Sequence, residues 1–252
     1  MSYSQDIDPR FENPLVTDRP DATEASSTVG KGVFQIETGG FYESFEANNI
    51  QNELYTYNTM LIRYGLLDRI EFRVGWDFVE GITKVNNTKL DNVTSGFSPI
   101  LLGVKVDIVE EKGLLPEIAL LLHTNHPFFA GEDYKTTSTG TDFRFSLSHT
   151  LSERSSLGYN LGMSWDGDTT RASYLYTLAY GYSLSDKIGA YVEVYGYLPE
   201  GLSFNHYWDA GFTYLVNNNL QFDAYFGTSL TEGQDILLGL GASFRVLPSK
   251  QN

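Results

Sequence analysis

From about Gly32 to Val246 the chain alternates apolar residues with small or polar ones, and the alternation restarts after each cluster of turn-forming residues. The tract Arg69–Val79 shows the pattern. Ile70, Phe72, Val74, Trp76 and Phe78 share one phase, and Glu71, Arg73, Gly75 and Asp77 share the other. A period of two puts the two phases on opposite faces of a strand. The polar phase is rich in Gly, Ser, Thr and Asn and poor in Lys. Such a surface is unusual on a sheet facing water, but it suits the inside of a barrel whose apolar face meets lipid.

Twelve strands are predicted, at about 32–45, 53–64, 69–79, 97–108, 116–125, 141–151, 156–165, 172–183, 187–197, 206–215, 219–228 and 235–246. The second has the least regular phase, with Tyr55, Tyr57 and Leu61 set against Leu54, Met60 and Ile62. Strands of ~10 residues tilted at about 45° are long enough to cross a bilayer. The links sort by parity. Gly65–Asp68, Val109–Leu115, Ser152–Ser155, Leu184–Asp186 and Val216–Asn218 are short turns, whereas Glu80–Gly96 and His126–Gly140 read as long polar loops. A Greek-key sandwich has no reason to sort its loops this way. The predicted fold is therefore all-β, a transmembrane antiparallel up-and-down barrel of twelve strands over residues 31–246. An irregular segment 1–30 precedes it and a short tail 247–252 follows, both on the periplasmic side.

Composition narrows the function classes. The longest apolar tracts, such as Ile118–Leu122, are far too short for a transmembrane helix. With no cysteine, disulfides, thiolate catalysis and Cys-based zinc sites are all removed. A net charge of −15 argues against nucleic acid as a partner. Ser2-Tyr3-Ser4 before Gln5 has the small-x-small form of an export-signal cleavage site, so the numbering is read as starting at the tail of a removed signal.

The N-terminal segment carries Asp6, Asp8, Glu12, Asp18, Asp21 and Glu24 together with Pro9, Pro14 and Pro20. Asp18, Arg19, Pro20, Asp21 and Glu24 form the candidate plug. Asp18 and Arg19 are expected to pair with Arg73 or Glu71, and Pro20 to stiffen the chain. The alternative is a free periplasmic tail.

On the polar phase, Glu37, Glu43, Glu71, Asp77, Asp107, Glu117, Asp142, Glu193, Asp209 and Asp223 are acidic, and Arg63, Arg73, Lys105, Arg144 and Arg245 are basic. The excess of carboxylates predicts an electronegative lumen. Two readings follow: a pore favouring cations or neutral polar solutes, or a set of ion pairs that fills a narrow lumen and holds it shut. Tyr42, Tyr64, Trp76, Trp165, Tyr174, Tyr182, Trp208 and Tyr214 fit interfacial girdles. Tyr191, Tyr195 and Tyr197 point inward, either to stack on an aromatic or sugar-like solute or simply to fill space.

Several segments resemble the outer-membrane family of phenol-degradation MetA-pathway transporters. They are Thr17-Asp18-Arg19-Pro20-Asp21-Ala22-Thr23-Glu24, Gly32-Val33-Phe34-Gln35-Ile36-Glu37-Thr38-Gly39, the run from Leu61 to Gly75, Leu102-Gly103-Val104-Lys105-Val106 and Asp223-Ala224-Tyr225-Phe226-Gly227. The resemblance implies a β-barrel in the outer membrane of a Gram-negative bacterium of the Bacteroidetes type, and transport without naming a solute. After the fifth strand the chain departs from the family's Pro-x-Gly pattern and reads Pro127-Phe128-Phe129-Ala130-Gly131.

Catalysis finds little support. Ser148 and His149 are adjacent on a strand and face opposite ways, so they do not form a nucleophile–base pair. His123 and His126 with Glu132 or Asp133 are a weak metal-ligand pattern, and no phosphate loop or catalytic motif is present. The sequence is read as non-enzymatic, with no catalytic residue, metal or cofactor. The function expected is passive passage of a small solute. The alternatives are a non-conducting barrel within a larger envelope assembly and, more remotely, a hydrolase at the membrane surface. Partners are outer-membrane lipid and lipopolysaccharide and, in the second reading, other envelope proteins.

Overall fold

The computed structural model describes residues 11–231 and 233–246, so the expectations for Ser2–Gln5, Asp6, Asp8, Pro9 and the tail 247–252 lie outside the described residues. Thirteen strands follow one another along the described chain: β1 Phe34–Ala47, β2 Ile50–Leu67, β3 Ile70–Val85, β4 Thr88–Phe97, β5 Ile100–Val109, β6 Glu117–His126, β7 Gly140–Ser152, β8 Ser155–Trp165, β9 Ser173–Ser183, β10 Ile188–Pro199, β11 Asn205–Asn217, β12 Leu220–Ser229 and β13 Gln234–Val246. All pairings are antiparallel between neighbours. β1 pairs with both β2 and β13, from Phe34↔Val246 to Phe45↔Gln234, which closes the sheet on itself.

The barrel has twelve staves and one extra strand. β3 pairs with β5 through Ile70–Gly75 and with β4 through Phe78–Val85, so β4 and β5 form a single return path. Ser98-Pro99 breaks that path, since Pro has no N–H for the ladder. Ser98 stitches the break by donating its N–H to the Asp77 carbonyl (2.9 Å) and accepting the Asp77 N–H on its Oγ (2.9 Å).

Two expectations are corrected here. Glu80–Gly96 is not a loop. β3 continues to Val85, turns at Asn86-Asn87 and returns as β4. Both turn residues have positive φ (49° and 62°), as do Asn48 and Asn49 (52° and 61°) between β1 and β2. Asn tolerates this left-handed region, and two such residues in a row make the hairpin turn that matches strand twist. In the hairpin the apolar residues Ile82, Val85, Leu90 and Val93 no longer follow a period of two.

The second correction concerns β2, where one extra residue lies between Thr56 and Asn58. This bulge inverts the side-chain phase. Thr59, Leu61 and Arg63 thus share the inner face with Thr56, while Tyr57 turns outward. The irregular alternation of Tyr55, Tyr57 and Leu61 is this bulge.

The distribution of burial inverts that of a soluble protein. Phe72, Val104, Leu122, Phe145, Leu161, Val192, Phe212 and Leu240, each from a different strand, are exposed on the outer wall, whereas Arg63, Glu71, Arg73 and Lys105 are fully buried within. A continuous apolar band around a polar interior is the pattern of a barrel solvated by lipid. Among the described residues no helix is long and apolar enough to cross a membrane. Crossing falls to the strands.

Candidate functional site

Residues 11–33 lie along and inside the lumen. The segment starts at the rim where both ends of the barrel wall emerge. There the Leu15 N–H donates to the Asn218 carbonyl (2.9 Å) and the Arg245 guanidinium lies 5.4 Å from the Phe11 ring. It turns back at mid-lumen and returns to the same rim, where Gly32 N–H donates to the Gly65 carbonyl (2.7 Å) and Gly65 N–H to the Val33 carbonyl (3.0 Å). Between these anchors the segment forms no strand, so its backbone groups need partners from the wall.

The inward side chains supply them. Asp18 N–H donates to Glu37 (3.0 Å), Ala22 N–H to Glu193 (2.7 Å), Glu24 N–H to Asn160 Oδ1 (2.7 Å) and Val29 N–H to Glu71 (2.9 Å). Asn160 Nδ2 donates back to the Glu24 carbonyl (3.0 Å), and Gln35 Nε2 to the Val16 carbonyl (2.8 Å). Thr23 reaches Glu193 and Thr177, and Ser26 reaches Glu117 and Ser148.

At the centre stands a buried ion cluster. Asp18 lies 2.6 Å from Arg73, 2.9 Å from Lys105 and 3.2 Å from Arg63. Arg63 also pairs with Glu37 and with Glu71, each at 2.8 Å, and Glu24 lies 2.9 Å from Arg73. Four carboxylates thus meet three cations, and the two from the N-terminal segment complete a set the wall leaves short of anions. At such burial the charges depend on one another. Removing one partner strands the rest in a low dielectric.

The remaining lumen candidates are dispersed around the wall. Asp142 and Arg144 pair at 2.9 Å, with His123 3.7 Å from Asp142 and 3.1 Å from Arg73. Glu43 accepts from Gln234, and Asp223 pairs with Arg19. Arg19 therefore turns to β12, away from the expected Glu71. Asp77 lines the cavity at the far mouth, and buried Asp209 sits opposite Glu193 in the ladder. Asp107 and Arg245 share the inner phase but lie at the rim. Asp107 there pairs with Arg69 (3.2 Å), and Arg245 donates to the Asn13 and Asn218 carbonyls. Asp21 and Pro20 border the cavity at the rim of the short turns, beside Ser152–Ser155.

The inward tyrosines separate. Tyr191 faces the cavity at the rim of the short turns, while Tyr195 stacks on Tyr207 with ring centroids 5.1 Å apart. His123 and His126 are not brought together. His126 bonds Thr124 at 3.1 Å, and Asp133 caps the Ser95 N–H at 2.9 Å. Among the described residues no set of three or more His, Asp or Glu is placed to hold a metal ion.

Sequence reasoning missed the uncharged docking residues Gln35, Thr59, Asn160 and Thr177. Their signal was an inward amide or hydroxyl on strands otherwise lined by Gly and Ser. The docked segment leaves two larger cavities and a smaller one of about 140 Å³ lined by Thr23, Glu24 and Ser26. One of about 470 Å³ opens toward the loops and is bordered by Trp76, Asp77, Ser98, Pro99 and Asn125. One of about 350 Å³ lies at the opposite rim and is bordered by Pro20, Asp21, Tyr191 and Gln221.

Fold and site together define a closed transmembrane-type β-barrel whose lumen is occupied by its own N-terminal segment. The chain belongs to the family described as "Putative MetA-pathway of phenol degradation", whose model matches residues 17–246. That match includes the docked residues from Thr17 onward as well as the wall. An outer membrane channel from Pseudomonas putida F1 superimposes with a TM-score of 0.65 at 12% identity, over 88% of this chain and 98% of that one. The NanC porin gives 0.54 at 8% identity (84% and 100% covered) and the KdgM porin 0.54 at 9% (85% and 100% covered). At these identities the likeness is one of fold. No curated protein matches the sequence.

Proposed function

We propose that the protein is a bacterial outer-membrane channel for the passive passage of a small solute, held narrow by its own N-terminal segment, with both termini in the periplasm. The observation that carries this reading is the pair of cavities, about 470 and 350 Å³, on the two sides of the docked segment. A barrel stabilised only by a packed interior has no need of space at both mouths. Asp18, Glu24, Glu37, Asp77 and Asp166 around the first space and Asp21 and Glu153 around the second outnumber the bordering cations Arg19, Arg73 and Arg154, which favours cations or neutral polar solutes over anions. No catalytic step is part of this reading.

The competing reading, a non-conducting barrel in an envelope assembly, draws on the burial of Arg63, Arg73 and Lys105 among their carboxylates. Deleting residues 11–30 separates the two. The conducting reading predicts a clear rise in single-channel conductance in planar bilayers, and faster liposome swelling with cations, sugars and phenolic acids. A deletion variant that keeps the heat-modifiable migration of a folded barrel, yet conducts no more than the full chain, would leave only the second reading.

A further inference from the structure

Among the residues bordering the two larger lumen cavities, Arg19 alone borders both. The smaller one, beside the second, reaches Glu24 at the edge of the first. Its guanidinium lies against the β1–β13 seam, held from one side by Asp223 of β12 and from the other by Thr59 of β2. Nη2 lies 2.9 Å from Asp223 Oδ1, Nε donates to Asp223 Oδ2 at 3.2 Å, and Nη1 donates to Thr59 Oγ1 at 3.2 Å. The Tyr225 ring centroid is 5.9 Å away. The floor beneath it is glycine. A Cβ at Gly241 would overlap the guanidinium, and the three heavy atoms nearest that Cβ all belong to Arg19. Gly39, paired with Gly241 across the β1–β13 seam, lies against the same group.

Flat shape, bidentate pairing and a side-chain-free wall together make a niche for a planar cation. The contrast with Asp18 is instructive. Asp18 is locked by three buried cations, whereas Arg19 keeps some solvent contact and relies on one carboxylate and one hydroxyl.

We propose that Arg19 is the gate and charge filter of this lumen. Its guanidinium bars the path between the two cavities, and it neutralises Asp223 where the path is narrowest. Swinging the side chain out of the glycine niche opens the path without undocking the rest of the segment. With Arg19 in place the pair carries no net charge. With it removed, Asp223 faces the path unpaired and cations are favoured. This inference rests on the channel reading above and assigns selectivity within it to a single residue.

The test uses the full chain in planar bilayers under a salt gradient. Arg19→Gln is expected to raise conductance roughly twofold or more and to shift the reversal potential toward cation selectivity. Gly241→Ala keeps every charge but displaces the guanidinium. It is expected to raise conductance with a smaller shift in reversal potential. The double variant is expected to match Arg19→Gln alone, since the added methyl then has nothing to displace. Should Arg19→Gln fail to reach the folded state, Gly241→Ala decides. If the folded variants match the parent while deletion of residues 11–30 conducts, the gate assignment is wrong and the plug reading stands. If the deletion is also silent, both fall.

Discussion

Replacing Asp18 with Ala is the sharpest probe of how the N-terminal segment is held. Asp18 touches Arg73, Lys105 and Arg63 at 2.6, 2.9 and 3.2 Å and accepts the Ala25 N–H at 2.8 Å. Removing one partner from a buried ionic set costs about 3–5 kcal/mol. The lower end applies here, because Glu24, Glu37 and Glu71 then balance Arg63, Arg73 and Lys105 in number. Lys105 is worst placed, keeping the Ala25 carbonyl at 2.9 Å and Glu24 only at 3.8 Å.

A loss of ~3 kcal/mol corresponds to roughly a hundredfold shift toward the undocked segment, at 1.4 kcal/mol per tenfold. Hydrogen exchange reads this directly, since the amides of Ala22, Glu24 and Val29 donate to wall side chains. Their protection is predicted to fall by about that factor while the β6–β9 amides stay unchanged. Adding Lys105→Met to the variant is predicted to restore part of the loss, because it removes the stranded charge. Protection within about threefold of the parent in Asp18→Ala would show that the ion cluster does not hold the segment and refute the reasoning.

Two further predictions concern its anchors and the loops. Gly65→Ala places a methyl against the Gly30 carbonyl, a backbone group that has to shift, so the exit of the segment is predicted to loosen by about 1–3 kcal/mol. Faster exchange of the Gly32 amide, which donates to Gly65, is the readout, and unchanged exchange would contradict it. In the β8–β9 loop, Thr169 and Asp168 N–H groups hold the Asp166 carboxyl below its ordinary value of 3.8. A carboxylate lowered by folding stabilises its turn above that ordinary value and loses the effect only as pH falls through the lowered one. The Asp168 and Thr169 amide resonances are therefore predicted to hold steady from pH 7 to about 4 and to move below it. Movement between pH 5 and 6 would contradict the capped turn.

The wall was largely legible in the sequence because lipid on one side and a polar lumen on the other impose a strict period of two. From Ile70 to Phe78 every residue announces its face. Legibility ended where the period broke. Thr83–Thr94 pairs as a hairpin without apolar alternation, and the paired asparagines at 86–87 were the signal to use. In β2 the bulge near Tyr57 flips the phase once, which a fixed-period reading renders as noise. Within the site, the inward charges were readable but their partners were not. Asp18 and Arg19 are adjacent, yet one is held by β2, β3 and β5 and the other by β12, with Asp223 204 residues distant from Arg19. Nothing local distinguishes Asp223 from Glu71 as the partner of Arg19.

Residues 11–33 enter near Asn218 and leave near Gly65, both at the same rim, and so this stretch occupies the barrel as a bight rather than a thread. A bight crosses no closed ring of hydrogen bonds. It can be pushed in after the β1–β13 seam has zipped and withdrawn again with the wall intact. Assembly of the wall and filling of the lumen are thereby separable events, and the reverse of the second is a route to opening that leaves every inter-strand bond in place.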